Sequence, residues 1–297
     1  MPSVLSADEI IEIAAGRLAQ GMVPEDLGPL SIDTRSGVEG AWFVALKGKT
    51  YDGHDFLGDA FTGGALGCIV EERHSYPLPS TNFPLIAVSD TLVALKDLAR
   101  NWRRRLATKV IFVIGAEIAR SQALVQCIAK LISSRFVCKA IDASASSEAF
   151  FELVSLEEES AFVAVSFDPP GLDDVEFLAS AFCPNIVCLI DEPFGYMRIA
   201  AESEQLKAAA TAVISSMDRR PGLILSACSD SPCLPDLSGV ERHAVRLYRG
   251  SSSNQQMQGP SSASSECFMP TAEESWCIAE VCKNCGIPDD IIYGAFV

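Results

Sequence analysis

Apolar runs of four to seven residues alternate with helix-like stretches through most of the chain after residue 108. The runs are KVIFVIG, AFVAVSFD, NIVCLID and GLILSA, and the stretches between them are SQALVQCIAKLISSRF, DDVEFLASAF and ESEQLKAAATAVISSM. Short continuous apolar strands separated by helices are typical of a parallel sheet that is covered on both faces. Residues 89–297 are therefore predicted to form a doubly wound α/β domain with a mostly parallel sheet.

The preceding part of the chain has shorter elements and more glycine. SADEIIEIAAGRL opens with Ser6 as a helix N-cap, and LSIDTRSGVEGAWFVAL reads as strand, turn and strand. GHDFLGDAFTGGA reads as a short helix that ends in glycines, and LGCIVEE and FPLIAVSD read as buried strands. These elements predict a small N-terminal α/β domain over residues 1–88. An amphipathic helix, TLVALKDLARNWRRRL, then leads into the first strand of the second domain.

One late segment breaks the alternation of strands and helices. RGSSSNQQMQGPSSASSE is poor in apolar residues and rich in Ser, Gln and Gly. Such a composition cannot bury enough apolar surface to offset the entropy of ordering, so a flexible loop is predicted near 250–266. One more helix, AEESWCIAEVCKNCG, follows it.

Composition and charge narrow the class of protein. The chain is 48% hydrophobic and 21% charged, its formal net charge is −16, and no apolar run reaches the ~18 residues that cross a bilayer. The acidic balance argues against nucleic-acid binding, which needs basic surface. The first residues lack the basic start and apolar core of a signal peptide, so a cytoplasmic protein without membrane partners is expected. The one basic stretch, RNWRRRLATK, is read as a solvated helix face, with a contact to phosphate or an acidic partner as the alternative.

The spacing of the cysteines and histidines indicates neither a metal site nor a catalytic site. The chain has 11 cysteines, which favours reduced thiols packed as small hydrophobic groups. Cys282 and Cys285 form a CxxC pair, but the nearest second pair, in CSDSPC, is poorly spaced for zinc, so no metal site is predicted. His74 and His243 have no evident carboxylate or nucleophile partners, and no catalytic residue is predicted.

The segment IDTRSGVEGAWFVALKGKTYDGHDF resembles the N-terminal domain of the Mur ligases. These are ATP-dependent enzymes that build the peptide of bacterial peptidoglycan. The resemblance is to the MurF type, which adds D-alanyl-D-alanine to a UDP-N-acetylmuramoyl-tripeptide, and it extends over nearly the whole chain. It implies that this domain holds the UDP part of the substrate. The implied pocket residues are Thr34, Arg35, Asp52, Gly53, His54, Asp55 and Phe56. The alternative is that Asp33 and Arg35 form a turn-stabilising pair and that His54 is a structural histidine.

The family's ATP loop reads roughly TGSNGKTT, and it falls on Ile114 to Ser121 in FVIGAEIARSQ. Only Gly115 and Ser121 agree with it, and Ala119 stands at the lysine position. Arg120 supplies one cation, but the next residue on a helix points about 100° away from the lysine position. The resemblance implies ATP and Mg²⁺ as cofactors for the family. Because the loop lacks the groups that bind phosphate, no cofactor is expected here.

The other family positions also lack their functional side chains. The metal-binding glutamate falls at Ser166, with Asp168 nearby, and the carbamylated lysine falls at Ala210, with Lys207 three residues earlier. A family histidine falls at Tyr196, and the asparagine of the same segment falls at Asp191. Family members also carry a third, C-terminal domain, which is expected to be absent here because the chain ends at Val297.

Three hypotheses follow from the resemblance and the substituted positions. The first is a homologue without ligase activity that acts as a binding or scaffold protein, with a UDP-sugar, a UDP-muramoyl-peptide or a protein as its partner. The second is an active ligase, or one half of a split ligase. The third is an unrelated binding function on the same fold. Tight binding of ATP·Mg would favour the second.

Overall fold

The computed structural model describes residues 4–72, 82–115, 118–143, 146–167, 172–190, 200–217, 222–226, 245–249 and 272–295. The predicted loop near 250–266 lies outside these ranges, as do Asp168, Asp191 and Tyr196. The chain divides into two compact units. The first unit is residues 1–107 with 146–158, and the second is residues 108–145 with 159–297.

The first unit is a five-stranded sheet with helices. The strand order is β1-β5-β4-β3-β2, with β2 to β5 parallel and β1 antiparallel to β5. The strands are β1 (Arg17–Gln20), β2 (Leu30–Ser31), β3 (Trp42–Val44), β4 (Gly67–Glu71) and β5 (Leu85–Val88). The helices are α1 (Ala7–Ile13), α2 (Leu57–Thr62), α3 (Thr91–Arg105) and α5 (Ser146–Val154), with two 3-10 turns at Thr34–Ser36 and Gly53–Phe56.

Local sequence explains where the helices of this unit begin. Ser6 caps α1 in a capping box, in which its hydroxyl accepts from the Glu9 backbone N–H and the Glu9 carboxylate accepts from the Ser6 N–H. Asp90 caps α3 by accepting from the Val93 N–H at 2.9 Å. At the other end of α3, the indole of Trp102 donates to the Leu156 carbonyl at 2.9 Å, so α3 is bound to the segment that follows α5.

The predicted boundary at residue 88 does not coincide with the division into compact units. Helix α3 lies in the first unit because it packs on α1 and α5, and α5 joins that unit from a distant part of the chain. The basic stretch in α3 is only partly a solvated face. Arg104 and Arg105 are exposed, whereas Arg103 is buried and donates to the Leu106 carbonyl. The assignment of family domains to 1–88 and 89–297 stays a prediction.

The second unit is a six-stranded sheet in the order β11-β10-β9-β6-β8-β7, with every pairing parallel. The strands are β6 (Lys109–Gly115), β7 (Cys138–Asp142), β8 (Phe162–Phe167), β9 (Ile186–Ile190), β10 (Gly222–Ser226) and β11 (Val245–Arg249). The helices are α4 (Ile118–Ile132), α6 (Leu172–Phe182), α7 (Ala200–Ser215), α8 (Ala272–Asn284) and α9 (Asp289–Gly294). The predicted α/β fold with mostly parallel sheets is confirmed.

Strand order places a topological switch point at β6. The chain goes from β6 to β7 and β8 on one side, and then to β9, β10 and β11 on the other. In open α/β sheets, ligands bind at the carboxyl edge beside such a switch point. Gly115 ends β6 at this edge, and α4 begins three residues later.

Helix α8 covers part of this sheet through a core that contains several thiols. Cys282 and Cys285 are buried in it together with Cys188 of β9. Burial raises the pKa of Cys188 and of Cys282 to about 12, and it raises the pKa of Cys285 as well. In the described part of the chain no group of three or more His, Cys, Asp or Glu could hold a metal ion, and no helix there is long and apolar enough to span a membrane.

Candidate functional site

The first candidate site lies at the carboxyl edge of the first unit's sheet. Strands β2 and β3 are parallel, so the segments that follow them emerge at the same edge. The Thr34–Ser36 turn follows β2, and the loop that ends in the Gly53–Phe56 turn follows β3. The structure therefore places both parts of the predicted UDP pocket at one edge of one sheet.

The turn after β2 is built around Asp33. Its carboxylate caps the turn by accepting from the Arg35 backbone N–H at 2.9 Å. The same carboxylate accepts from the Arg35 guanidinium, through Nε at 3.0 Å and Nη2 at 2.8 Å. This pairing lowers the pKa of Asp33 and raises the pKa of Arg35. The Arg35 side chain is nevertheless 88% exposed, and a guanidinium has five N–H donors, so most of its donors are not used by Asp33.

The turn after β3 repeats this arrangement with histidine in place of arginine. Asp52 accepts from the His54 backbone N–H at 3.0 Å and lies 2.6 Å from the His54 Nδ1. His54 Nε2 accepts from the Glu71 N–H at 3.1 Å, so the proton of the ring lies on Nδ1. His54 is 4% exposed, and both of its ring nitrogens are engaged within the fold. This geometry is that of a structural histidine, which ties the loop to β4.

Close packing explains the glycine in this loop. The Gly53 N–H donates to the Leu46 carbonyl at 2.8 Å, and a Cβ at Gly53 would lie 2.7 Å from the Leu46 nitrogen. The loop exposes Asp55 and also Tyr51, whose ring packs edge-on against Phe56 at 6.4 Å. Tyr51 also contributes to the raised pKa of Arg35, so it lies within electrostatic range of the other turn. Sequence reasoning left Tyr51 out of the pocket, although it stands inside the matched segment.

The second candidate site is the carboxyl end of β6. A Cβ at Gly115 would lie 2.5 Å from the Ser121 hydroxyl, so a larger residue there would require that hydroxyl to move. Ser121 is 1% exposed. The two residues that match the family loop therefore pack against each other. Ala119, at the predicted lysine position, is exposed and offers only a methyl group.

Arg120 is paired with a carboxylate from far along the chain. Its Nη2 donates to Glu274 Oε2 at 2.6 Å, and its Nε donates to Glu274 Oε1. The Glu274 side chain is 2% exposed, and that of Arg120 is 24% exposed. No sequence pattern indicated this pair, because its partners are 154 residues apart.

The predicted metal-ligand positions are buried and carry no carboxylate. The Ser166 hydroxyl donates to the Ile141 carbonyl at 3.4 Å and is 2% exposed, and Ala210 of α7 is 1% exposed. Asp142, at the carboxyl end of β7, is a carboxylate near this edge that sequence reasoning missed. It accepts from the Gln122 amide of α4.

Comparison with known proteins agrees with this architecture. No family model matches the chain. Its sequence is 42% identical over 84 residues to the UDP-N-acetylmuramoyl-tripeptide--D-alanyl-D-alanine ligase of Synechocystis sp.. These matches support a likeness to Mur ligases of the MurF type over part of their length. The match covers 28% of this chain and 18% of that relative. The chain therefore matches only about a fifth of the relative's length.

Solved MurF structures show the same fold. A crystal structure of MurF from Acinetobacter baumannii matches with a TM-score of 0.75 at 14% identity, over 99% of this chain and 68% of that one. The MurF ligase of Thermotoga maritima in complex with ADP matches with a TM-score of 0.58 at 16% identity, over 75% of this chain and 50% of that one. At these identities the likeness concerns the fold alone.

Proposed function

We propose that this chain is a MurF-like homologue that has lost ATP-dependent ligation and acts as a binding or scaffold protein. In this proposal the first unit retains a UDP-sugar site. The observation that carries it is the start of α4. Ala119 stands where the family has its lysine, and the adjacent cation, Arg120, is paired with the buried Glu274.

Loss of ligation follows from the chemistry that the site would have to perform. Forming an acyl phosphate requires that the phosphates be positioned and that Mg²⁺ neutralise the charge that develops on them. Ser166 and Ala210 supply neither a carboxylate nor a carbamate for Mg²⁺. The loop keeps the strand–glycine–helix geometry without the groups that bind phosphate, so no cofactor is proposed for this chain.

Retention of a UDP-sugar site rests on the first unit. Arg35 is exposed and held in place by Asp33, and a fixed guanidinium suits a diphosphate. The partly exposed Thr34 adds a hydroxyl, and the loop from Asp52 to Phe56 adds an aromatic ring and a carboxylate. His54 is buried and connects this loop to β4, so in this proposal it does not contact the ligand. The relative in Synechocystis is named for a UDP-N-acetylmuramoyl-tripeptide, and a ligand of that class is proposed here.

Calorimetry with UDP and with ATP·Mg tests both halves of the proposal. UDP is expected to bind the unaltered chain, and ATP·Mg is expected not to bind at micromolar concentration. Arg35→Gln should weaken UDP binding by about tenfold or more, since hydrogen bonds to charged groups contribute roughly 1.5–3 kcal/mol. Arg105→Gln is the matched control, because Arg105 is also an exposed arginine paired with a carboxylate, Glu9. A micromolar dissociation constant for ATP·Mg, or phosphate release that depends on D-alanyl-D-alanine, would overturn the loss of ligation.

The alternative is an active or split UDP-N-acetylmuramoyl-tripeptide--D-alanyl-D-alanine ligase. It is favoured by one observation, namely that the chain is 42% identical over 84 residues to a relative of that name. In that case a second chain would supply the remaining part. Phosphate release that requires both this chain and a second chain would establish it, and the genes that neighbour this one indicate which second chain to test.

A further inference from the structure

Helices α4 and α8 lie side by side with the same direction. Arg120 in the first turn of α4 meets Glu274 in the first turn of α8. Beyond their opposite ends, the Arg135 Nη1 donates to the Gly286 carbonyl at 3.0 Å. Apolar side chains of both helices, such as Ile128 and Ile278, fill the core between these two contacts. The starts of the two helices are therefore brought together at one place.

The backbone alone makes this place electropositive. Each helix start carries partial positive charge from its unpaired N–H groups, and Arg120 adds a full charge. The Glu274 carboxylate lies there, with both oxygens accepting from the guanidinium and only 2% of its side chain exposed. A buried carboxylate is tolerated only with such partners. Glu274 thus neutralises the positive charge of Arg120 that would otherwise attract a bound anion.

We propose that Glu274 is an internal anion that occupies Arg120 and the starts of α4 and α8, and so excludes phosphate from this edge of the sheet. The inference rests on the proposed loss of nucleotide binding and gives that loss a second cause besides the missing lysine. It makes Glu274 a determinant of what this edge rejects, although Glu274 lies far from the loop in sequence.

Pyrophosphate is the probe, with binding measured by calorimetry on the full chain. Glu274→Gln keeps the shape of the side chain and removes its charge, so it should bind pyrophosphate about tenfold more tightly than the unaltered chain, a difference of about 1.4 kcal/mol. Glu280→Gln is the control on the same helix, since Glu280 lies 3.8 Å from Lys283 and makes no contact with Arg120, and it should change nothing. The double variant Arg120→Met with Glu274→Gln should lose the gain. Equal binding by Glu274→Gln and the unaltered chain, or a gain that survives without Arg120, overturns the proposal.

A measurement on the unaltered chain keeps the test decisive if Glu274→Gln does not fold. The Arg120 Nε–H resonance should stay in place when pyrophosphate is added, because its acceptor is already Glu274. A saturating shift at submillimolar pyrophosphate overturns the proposal. The two proposals fail separately. ATP·Mg binding by the unaltered chain contradicts the proposed function, whereas an absent gain in Glu274→Gln contradicts only the role of Glu274.

Discussion

The carboxyl edges of the two sheets carry the same kind of scaffold and very different side chains. In the first unit, the segments after β2 and β3 present Asp33 with Arg35 and Asp52 with His54. In the second unit, β6 ends in Gly115, and the first turn of α4 offers the methyl group of Ala119 and an arginine that is already paired. At both edges a glycine packs closely, since a Cβ at Gly53 would lie 2.7 Å from the Leu46 nitrogen and one at Gly115 would lie 2.5 Å from the Ser121 hydroxyl. The comparison shows that apolar strands and one or two close-packed glycines maintain such an edge, whatever chemistry the side chains on it can perform.

Both edges hold a charged pair, and the pairs differ in how far water reaches them. The carboxylate partner is 38% exposed in Asp33, 25% exposed in Asp52 and 2% exposed in Glu274. Exposed pairs contribute little to stability, whereas removing one partner of a buried pair leaves an uncompensated charge. The effect of breaking each pair should therefore grow with its burial.

The largest effect is expected at the second edge. Arg120→Met leaves the Glu274 carboxylate buried without its guanidinium and should lower the free energy of unfolding by about 3–5 kcal/mol. Urea denaturation measures it. Arg135→Met is the matched control, because Arg135 joins the other end of the same two helices through an exposed contact, and it should cost less than about 1 kcal/mol. Equal losses of stability in the two variants would show that burial of Glu274 does not determine the effect.

The next effect is expected at His54 in the first unit. His54→Ala leaves the Glu71 N–H without its acceptor and Asp52 without its ring partner, and should cost about 2–3 kcal/mol. Asp55→Asn, at the exposed neighbouring position, should change stability by about 0.5 kcal/mol at most. The free energy of unfolding from denaturant titration distinguishes them. A His54→Ala chain as stable as Asp55→Asn would show that His54 is available for another role.

Thiol labelling compares the two units through their buried cysteines. Because burial raises the pKa of Cys282 to about 12, its thiol is almost entirely protonated at pH 8, and native Cys282 should react very slowly with iodoacetamide. In Arg120→Met, a loosened start of α8 should speed labelling of Cys282. Buried Cys68 of the first unit should keep its rate. Mass spectrometry of the labelled peptides gives both rates, and parallel increases would point to global unfolding instead.

The smallest effect is a pH dependence in the exposed turn. Hydrogen bonds from Arg35 lower the pKa of Asp33 below its ordinary value of 3.8. A lowered pKa in the folded state means that the turn is stabilised above pH 4 and loses this contribution as the pH falls through the lowered pKa. Carboxyl ¹³C titration by NMR should find this low pKa, and Arg35→Gln should return it toward 3.8. An unchanged Asp33 titration in Arg35→Gln would remove the reason for calling the arginine fixed.

The central strands of the second sheet were readable from the sequence, and its edges were not. Strands β6, β8 and β9 are continuous apolar runs because neighbouring strands and helices bury them. Strand β7 stands at an edge of the sheet and is largely half-buried, so its sequence, CKAID, carries no such run. The short, partly exposed β1 was missed for the same reason, and β11 at the other edge of the second sheet was missed as well.

The candidate sites divide in the same way between local and distant contacts. The Asp33–Arg35 pair spans two residues, and the sequence allowed for it as a turn-stabilising pair. The structural reading of His54 was also open, but its bond to Glu71 comes from the next strand of the sheet. The pairing of Arg120 with Glu274 arises only when α8 packs on α4, and no spacing in the sequence encodes it.

The return of α5 to the first unit bears on how this protein is made. Residues 146–158 complete that unit, and the Trp102 indole finds its acceptor only at Leu156. The ribosome therefore synthesises β6, α4 and β7 before it synthesises residues 146–158, which complete the first unit. Until then α3 lacks its partner helix, and its apolar face is a surface for chaperones or for aggregation. A chain cut after Ala107 lacks residues 146–158, so it is expected to keep that defect permanently.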